Sequence, residues 1–196
     1  MFKFSPEYWD KTYETNQIGW DIGYVSTPLK AYFDQIKDKS IRILIPGAGN
    51  AYEAEYLWKQ GFKNVFVLDF SEAAMQSFLQ RFPDFPDDNI LIEDFFQHPN
   101  KYDLIVEQTF FTSILPAQRK EYVAKTADLL YSGGKLMGLV FNHYFNFDGP
   151  PYGGTPEEYK QLFSLHFSFK HFEIAYNSIK PRRDRELFFV LEKKDS

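Results

Sequence analysis

Residues 41–57, IRILIPGAGNAYEAEYL, decide the fold. An apolar run of strand length enters a glycine turn, and from Ala51 onward the apolar residues fall at helical spacing. Strand, tight turn and helix in that order form the junction at which open α/β sheets hold nucleotide-like ligands, because ligands sit in the crevice at the carboxyl ends of the strands. Gly47 and Gly49 suit a sharp turn and a close backbone approach. A dinucleotide fingerprint needs a third glycine near position 52, where this chain has Tyr52. The turn is therefore expected to bind a cofactor, with a nicotinamide the weaker candidate.

Working outward, apolar runs at Ile41–Pro46, Asn64–Asp69, Asn89–Asp94, Tyr102–Gln108 and Lys135–Phe141 read as central strands. Helical segments separate them at Ala51–Gln60, closed by Gly61; at Ser71–Phe82, with Ser71 as cap; and at Pro116–Tyr131, opened by proline. Thr155, Pro156 and Glu158 spell a capping box for another helix. FSFKHFEIAY (167–176) and ELFFVLE (186–192) read as two closing strands, and the short link between them favours an antiparallel hairpin over a crossover. Alternation of this kind predicts a sheet covered by helices on both faces. Residues 1–40 precede the first strand and are expected to cover one end of the sheet.

Composition narrows the partners. The chain has 196 residues, 44% hydrophobic and 25% charged, enough for one domain with a substantial core. Its net charge of −5 argues against nucleic acid and anionic membranes, which are met through an excess of Lys and Arg. Without cysteine there is neither a disulfide framework nor a thiolate metal site or nucleophile, which fits an intracellular compartment. The N-terminus carries no signal-peptide run, and no apolar stretch is long enough for a bilayer. The expectation is a cytoplasmic monomer acting on a small molecule.

Acidic residues sharpen the cofactor. Asp69, 22 residues beyond Gly47, ends the second strand, where a carboxylate can accept hydrogen bonds from both ribose hydroxyls. That signal serves NAD and S-adenosylmethionine equally. The third strand ends in Asp94 beside Phe95 and Phe96, which suits an adenine amino group and ring and equally suits a helix cap.

Taken in order, six stretches resemble the thiopurine S-methyltransferase superfamily, and within it the thiol, thiocyanate and halide methyltransferase branch. They are YWDKTYETNQIGWDIGYVSTPLKAYF (8–33), LIPGAGNAYEA (44–54), LDFS and EDFF, EQTFFTSILPAQRKEYV (107–123) and FDGPPYGGTPEEYKQLF (147–163). The resemblance covers nearly the whole chain. It implies a Rossmann-like class I methyltransferase fold: a mostly parallel seven-stranded sheet with an antiparallel last strand, in one domain, residues 1–40 forming a lid and 41–196 the core. It also implies S-adenosylmethionine as cofactor, with Trp9, Tyr13 and Trp20 over the methionine end and methyl group, Gly47 and Gly49 at the amino-acid portion, Asp69 at the ribose, and Asp94 with Phe95 at the adenine. Where the family often has Arg or Tyr after the fourth strand, this chain has Gln108, which is expected to border cofactor and acceptor.

Methyl transfer from a sulfonium is an in-line displacement that asks mainly for alignment, and needs no metal. Electron-rich ring faces such as those of Trp9 and Trp20 suit the cation. The implied acceptor is a small thiol or thiopurine, thiocyanate or halide. Gln108, His143, Tyr144 and Tyr152 are the polar candidates on the acceptor side, and no general base stands out. Glu107 reads as a capping or packing carboxylate, His143 as a structural hydrogen-bonding residue before a base, and the run Lys180, Arg182, Arg183, Arg185 as a solvated hairpin tip. GPPY (149–152) begins with glycine and follows the fifth strand, unlike the Asp/Asn-Pro-Pro-Tyr tetrad of amino-group methyltransferases. Two alternatives stay open: a small NAD(P)-dependent reductase, and a non-catalytic module that binds S-adenosylmethionine without turnover.

Overall fold

A computed structural model describes residues 4–195; the first three residues of the expected lid and the last of the expected core lie outside them. In chain order the elements are α1 (Pro6–Glu14), α2 (Thr27–Phe33), β1 (Ile43–Pro46), α3 (Tyr52–Lys59), β2 (Val65–Asp69), α4 (Glu72–Arg81), β3 (Ile90–Ile92), β4 (Tyr102–Gln108), α5 (Phe110–Ser113), α6 (Arg119–Asp128), β5 (Leu130–Phe141), α7 (Pro156–Phe163), β6 (Phe167–Ile174) and β7 (Glu186–Lys193). The strands form one sheet in the order β3-β2-β1-β4-β5-β7-β6. Pairing is parallel from β3 to β5, and β7 runs antiparallel to both β5 and β6. This is the expected seven-stranded arrangement with its closing antiparallel hairpin.

Side chains that alternate along each strand feed two separate cores. Ile43, Ile45, Val65, Val67, Leu104 and Val106 pack with α2, α3 and α4 on one face. Leu44, Leu68, Ile105, Leu136 and Val140 pack with α6 and α7 on the other. Both faces of the central strands are thus buried, which is why those strands read as continuous apolar runs. Chain order reverses at β1, which lies between β2 and β4, so a crevice opens at the carboxyl ends of β1 and β4.

Several boundaries differ from the sequence reading, each for a local reason. α3 starts at Tyr52 because Ala51 takes a left-handed conformation, φ 49°. The helix expected over Pro116–Tyr131 is a short 3-10 turn, Pro116–Gln118, followed by α6; Leu130 already pairs with Tyr102 across a register shift, which carries Tyr131 into β5. β3 ends at Ile92, and Asp94 instead caps a 3-10 turn at Phe95–Gln97. α5 has no counterpart in the sequence reading. It follows Thr109, whose φ of 67° turns the chain sharply out of β4. The cap expected at Ser71 and the capping box expected at Thr155 both form: Ser71 accepts from Ala74 N, and Thr155 and Glu158 cap each other reciprocally.

Candidate active site

A cavity of about 720 Å³ opens at the carboxyl ends of the central strands. Gly47 of the glycine turn lines it, while Gly49 borders a smaller cavity of about 60 Å³ beside it. Gly47 and Gly49 both have left-handed backbones, φ 57° and 53°. A Cβ at Gly47 would lie 2.5 Å from the Phe110 ring, and one at Gly49 would collide with the Tyr13 hydroxyl. The glycines therefore admit two of the protein's own aromatic residues to the turn.

Asp69 holds that turn in place. Its Oδ2 accepts from Gly49 N at 2.9 Å and its Oδ1 from Ser71 N at 3.0 Å, so one carboxylate ties the glycine turn to the start of α4. Burial pushes its pKa up to about 6, against the pull of those two donated hydrogen bonds. Asp69 also lines the cavity. Asp94 lines it too, while its Oδ1 accepts from Phe96 N at 2.9 Å, so the capping role and a place at the site coexist. Phe95 is buried against Phe110 and Tyr122, with ring centroids 5.2 and 5.4 Å away.

The lid brings its aromatic residues together. Trp9 and Trp20 meet edge to face with centroids 5.6 Å apart, Tyr13 lies 6.2 Å from Trp20, and all three line the cavity. Burial, reinforced by the charge of Asp69, raises the Tyr13 pKa far above its ordinary value, so its hydroxyl stays neutral. Hydrogen bonds fasten this segment to the core at separate places. Asp10 accepts from Ser71 Oγ at 2.7 Å and Ala73 N at 3.1 Å, at the start of α4. Asp21 accepts from the Asn50 amide and from Tyr52 Oη. Arg182 donates to the Trp20 carbonyl at 2.6 Å.

The expected acceptor-side residues are placed differently. Gln108 does not line the large cavity; it borders a smaller one of about 60 Å³ beside the glycine turn, with Tyr13, Trp20 and Asp21. There its Oε1 is buried with no hydrogen-bond partner among the described residues. Tyr144 is 59% exposed and donates to Glu158, outside the cavity, because the loop after β5 turns it to solvent. Tyr152 and His143 also lie outside the cavity's lining. Tyr152 is held by its backbone, which donates to Thr112 O at 2.6 Å and accepts from Arg119 at 2.7 Å. His143 Nε2 is 2.7 Å from an Arg185 nitrogen. Because guanidinium only donates, that ring nitrogen accepts and the imidazole proton sits on Nδ1, an arrangement that leaves no free lone pair for a base. Burial first, then the charge of Arg185, lowers the His143 pKa and keeps it neutral.

In their place the wall is built from Phe141, Phe145, Pro150, Pro151, Arg182 and Arg185. The arginines had read as a solvated hairpin tip; the hairpin instead folds back over the cavity mouth. Arg119 secures the facing loop, donating to the carbonyls of Tyr152 and Gly153 while its guanidinium lies 4.6 Å over the Phe111 ring. Glu107 is fully buried beneath α5, accepting from Phe111 N at 2.8 Å and Tyr122 Oη at 2.5 Å, and burial pushes its pKa up to about 7. It is a packing and capping carboxylate, as its position next to Gln108 suggested.

Comparison with known proteins matches residues 4–193 to the family model for thiopurine S-methyltransferase. The chain belongs to the thiopurine S-methyltransferase family. As a member it is a methyltransferase that uses S-adenosylmethionine and acts on small-molecule acceptors. It is 30% identical over 188 residues to probable thiol methyltransferase 2 of Arabidopsis thaliana, covering 91% of this chain and 81% of that one. It is 28% identical over 197 residues to thiocyanate methyltransferase 1 of Brassica oleracea, covering 94% and 86%. Among solved structures, the Burkholderia thailandensis 1,6-didemethyltoxoflavin-N1-methyltransferase shares the fold with a TM-score of 0.77 at 17% identity, covering 97% of this chain and 87% of that one. Family membership sets the reductase alternative aside, in keeping with Tyr52 at the third glycine position, where its ring lies 4.1 Å beneath the Arg81 guanidinium.

The residues present suit S-adenosylmethionine. An orphaned buried acceptor, Gln108 Oε1, lies beside the glycine turn, where an ammonium would satisfy it. The adjoining large cavity offers carboxylates at the ends of β2 and β3 and aromatic rings from the lid.

Proposed function

We propose that this methyltransferase alkylates a small soft nucleophile, a thiolate, thiocyanate or halide, in the cavity between the lid of residues 1–40 and the core of residues 41–196. The observation that carries the reading is the lid: Trp9, Tyr13 and Trp20 gather on the cavity and are fastened to the core through Asp10, Asp21 and the Trp20 carbonyl. The names of the thiol and thiocyanate methyltransferase relatives support the acceptor class.

When bound, S-adenosylmethionine supplies a methyl group on a cationic sulfur. Gln108, with Gly47, Gly49 and Tyr13, would hold the amino-acid end; Asp69 would accept from the ribose, and Asp94 and Phe95 would meet the adenine. Trp9 and Trp20 offer ring faces that attract a cation and exclude water from it. The protein's task is then alignment, which the fastened lid and the Arg119-secured loop serve by limiting motion on either side of the acceptor. His143 is engaged with Arg185, and Tyr144 points away, so neither is assigned a proton. A thiol needs little help, since an ordinary thiol already has some thiolate at neutral pH. The same reading takes the protein as a cytoplasmic monomer without a nucleic-acid partner, supported by its net charge of −5 and its lack of cysteine.

Calorimetric titration with S-adenosylhomocysteine and NADH, followed by methyl-transfer assays over thiols, thiocyanate, halides, amines and alcohols, tests the reading. S-adenosylhomocysteine should bind and NADH should not. Transfer confined to amines or alcohols would overturn the acceptor class.

A further inference from the structure

The chain leaving β3 carries two neighbouring carboxylates that line the cavity, Glu93 and Asp94, and each has one oxygen already committed. Asp94 Oδ1 accepts from Phe96 N at 2.9 Å, the cap that starts the 3-10 turn Phe95–Gln97. That turn brings the chain back to Glu93 five residues on, where Glu93 Oε1 meets His98 Nδ1. Because a carboxylate only accepts, Nδ1 carries a proton and is the donor. The other ring nitrogen, Nε2, lies 2.8 Å from Tyr102 Oη, and the imidazole stacks on the Tyr102 ring with centroids 5.6 Å apart. His98 is thus fully buried and held through both nitrogens, whereas the Glu93 side chain is 41% exposed at the cavity rim.

A glutamate at an exposed rim ordinarily samples many rotamers, and holding it still costs side-chain entropy. A buried imidazole fastened to Tyr102 fixes one oxygen of Glu93 and so sets the direction of the other. Among the described residues neither Glu93 Oε2 nor Asp94 Oδ2 has a hydrogen-bond partner. Two acceptors from adjacent residues suit a ligand nitrogen that carries two hydrogens. An exocyclic amino group on an aromatic ring is such a nitrogen; a ring keto oxygen, which only accepts, gains nothing from either carboxylate.

We propose that Glu93 accepts one of the two hydrogens of the cofactor's adenine amino group, beside Asp94, and that His98 is the positioning residue that aims it. The inference rests on the placing of the adenine at the end of β3 given above. It assigns a use to a buried histidine that stands apart from the acceptor side of the cavity.

The test is calorimetric and needs no turnover. It compares S-adenosylhomocysteine with S-inosyl-L-homocysteine, in which a keto oxygen replaces the amino group, and the ratio of the two affinities cancels general damage to the site. The wild type should prefer the amino compound. Glu93→Gln should cut that preference about tenfold or more: a charge-assisted hydrogen bond is lost, and the amide, held through its oxygen by His98, turns an N–H toward the cavity. His98→Leu should cut it about tenfold, because Glu93 loses its aim, whereas His98→Asn should keep it within about threefold, since the amide nitrogen stands as many bonds from the backbone as Nδ1. Both His98 variants lose the contact with Tyr102 and should melt below wild type, so a merely structural histidine would leave the two alike in preference. An unchanged ratio in Glu93→Gln overturns the proposal whether or not the His98 variants fold; a ratio equal in His98→Leu and His98→Asn overturns the positioning role. A preference lost in Asp94→Asn but kept in Glu93→Gln overturns this inference and leaves the adenine placement standing. A wild type that binds both compounds equally refutes that placement and this inference with it.

Discussion

Replacing Glu107 with Gln should make the protein more stable near neutral pH and leave it unchanged in acid. The native carboxyl is fully buried, and its pKa rises from the usual 4.5 to about 7. An acid whose pKa is raised on folding holds its proton in the native state after the unfolded chain has lost it, so stability falls as pH rises between those two values and is flat above them. At about 1.4 kcal/mol for each tenfold in proton affinity, the charge costs about 3 kcal/mol above neutrality. Glutamine is isosteric and never ionises. Its oxygen keeps the hydrogen bond from Phe111 N, and its amide donates to Tyr122 Oη, whose own proton can turn to the buried Thr126 Oγ1. The hydrogen bonds to the carboxylate are already contained in that raised pKa, so the gain above neutrality is about 3 kcal/mol. For a chain of this length that is about 6–12 °C in melting temperature. Thermal unfolding at about pH 8 and about pH 5 measures it. A variant less stable than wild type at both values, or a difference independent of pH, would refute the argument that desolvation of the charged form dominates at this site.

Other consequences are as specific. Asp69→Ala should weaken S-adenosylhomocysteine binding more than about tenfold, since it removes a hydrogen-bond acceptor and frees the glycine turn from α4; unchanged affinity by calorimetry contradicts the ribose assignment. In the wild type that affinity should fall as the pH drops below about 6, where Asp69 takes up a proton and loses acceptor capacity, and a flat profile speaks against it. Gly49→Ala should lose binding through a left-handed backbone, a penalty of about 1–2 kcal/mol, and through collision with Tyr13; adding Tyr13→Phe should recover the second part alone, read as the difference between single and double variants. Arg182→Gln should speed amide hydrogen exchange around Trp20 by loosening the lid, and protection equal to wild type would show the anchor to be idle.

Much of this architecture is legible in the sequence because its causes are local. Strands buried on both faces must be apolar through their centres, and Ile43–Pro46 of β1, Val65–Leu68 of β2 and Leu104–Val106 of β4 are. Ser71 and the Thr155–Glu158 pair announce helix starts because few other residues satisfy the exposed N–H groups there. Asp69 is legible by its place at a strand end. What was hidden depends on chain segments far apart in sequence. Nothing in QTFFTS marks the turn at Thr109 that sends Phe110 against Gly47. Asp94 gives the same signal for a cap and for a ligand, and the structure uses it as a cap at the cavity edge. The arginine run resembles any exposed hairpin until Trp20 and His143, 162 and 42 residues from their arginine partners, are brought beside it. Conversely, Tyr144 and Tyr152 had the polarity for a site, but the loop that carries them turns one hydroxyl to Glu158 and fixes the other residue by its backbone.

In the proposed reading, the lid offers rings that suit a cation, the β4 end an orphaned acceptor and the last hairpin a positive mouth, and together they would align a soft anionic acceptor with a sulfonium methyl group. The most direct test is methyl transfer from isotopically labelled S-adenosylmethionine in a mixture of thiophenol, aniline and phenol at equal concentration. The account predicts label in thioanisole, with S-adenosylhomocysteine formed in equal amount; label in N-methylaniline or anisole and none in thioanisole would contradict it.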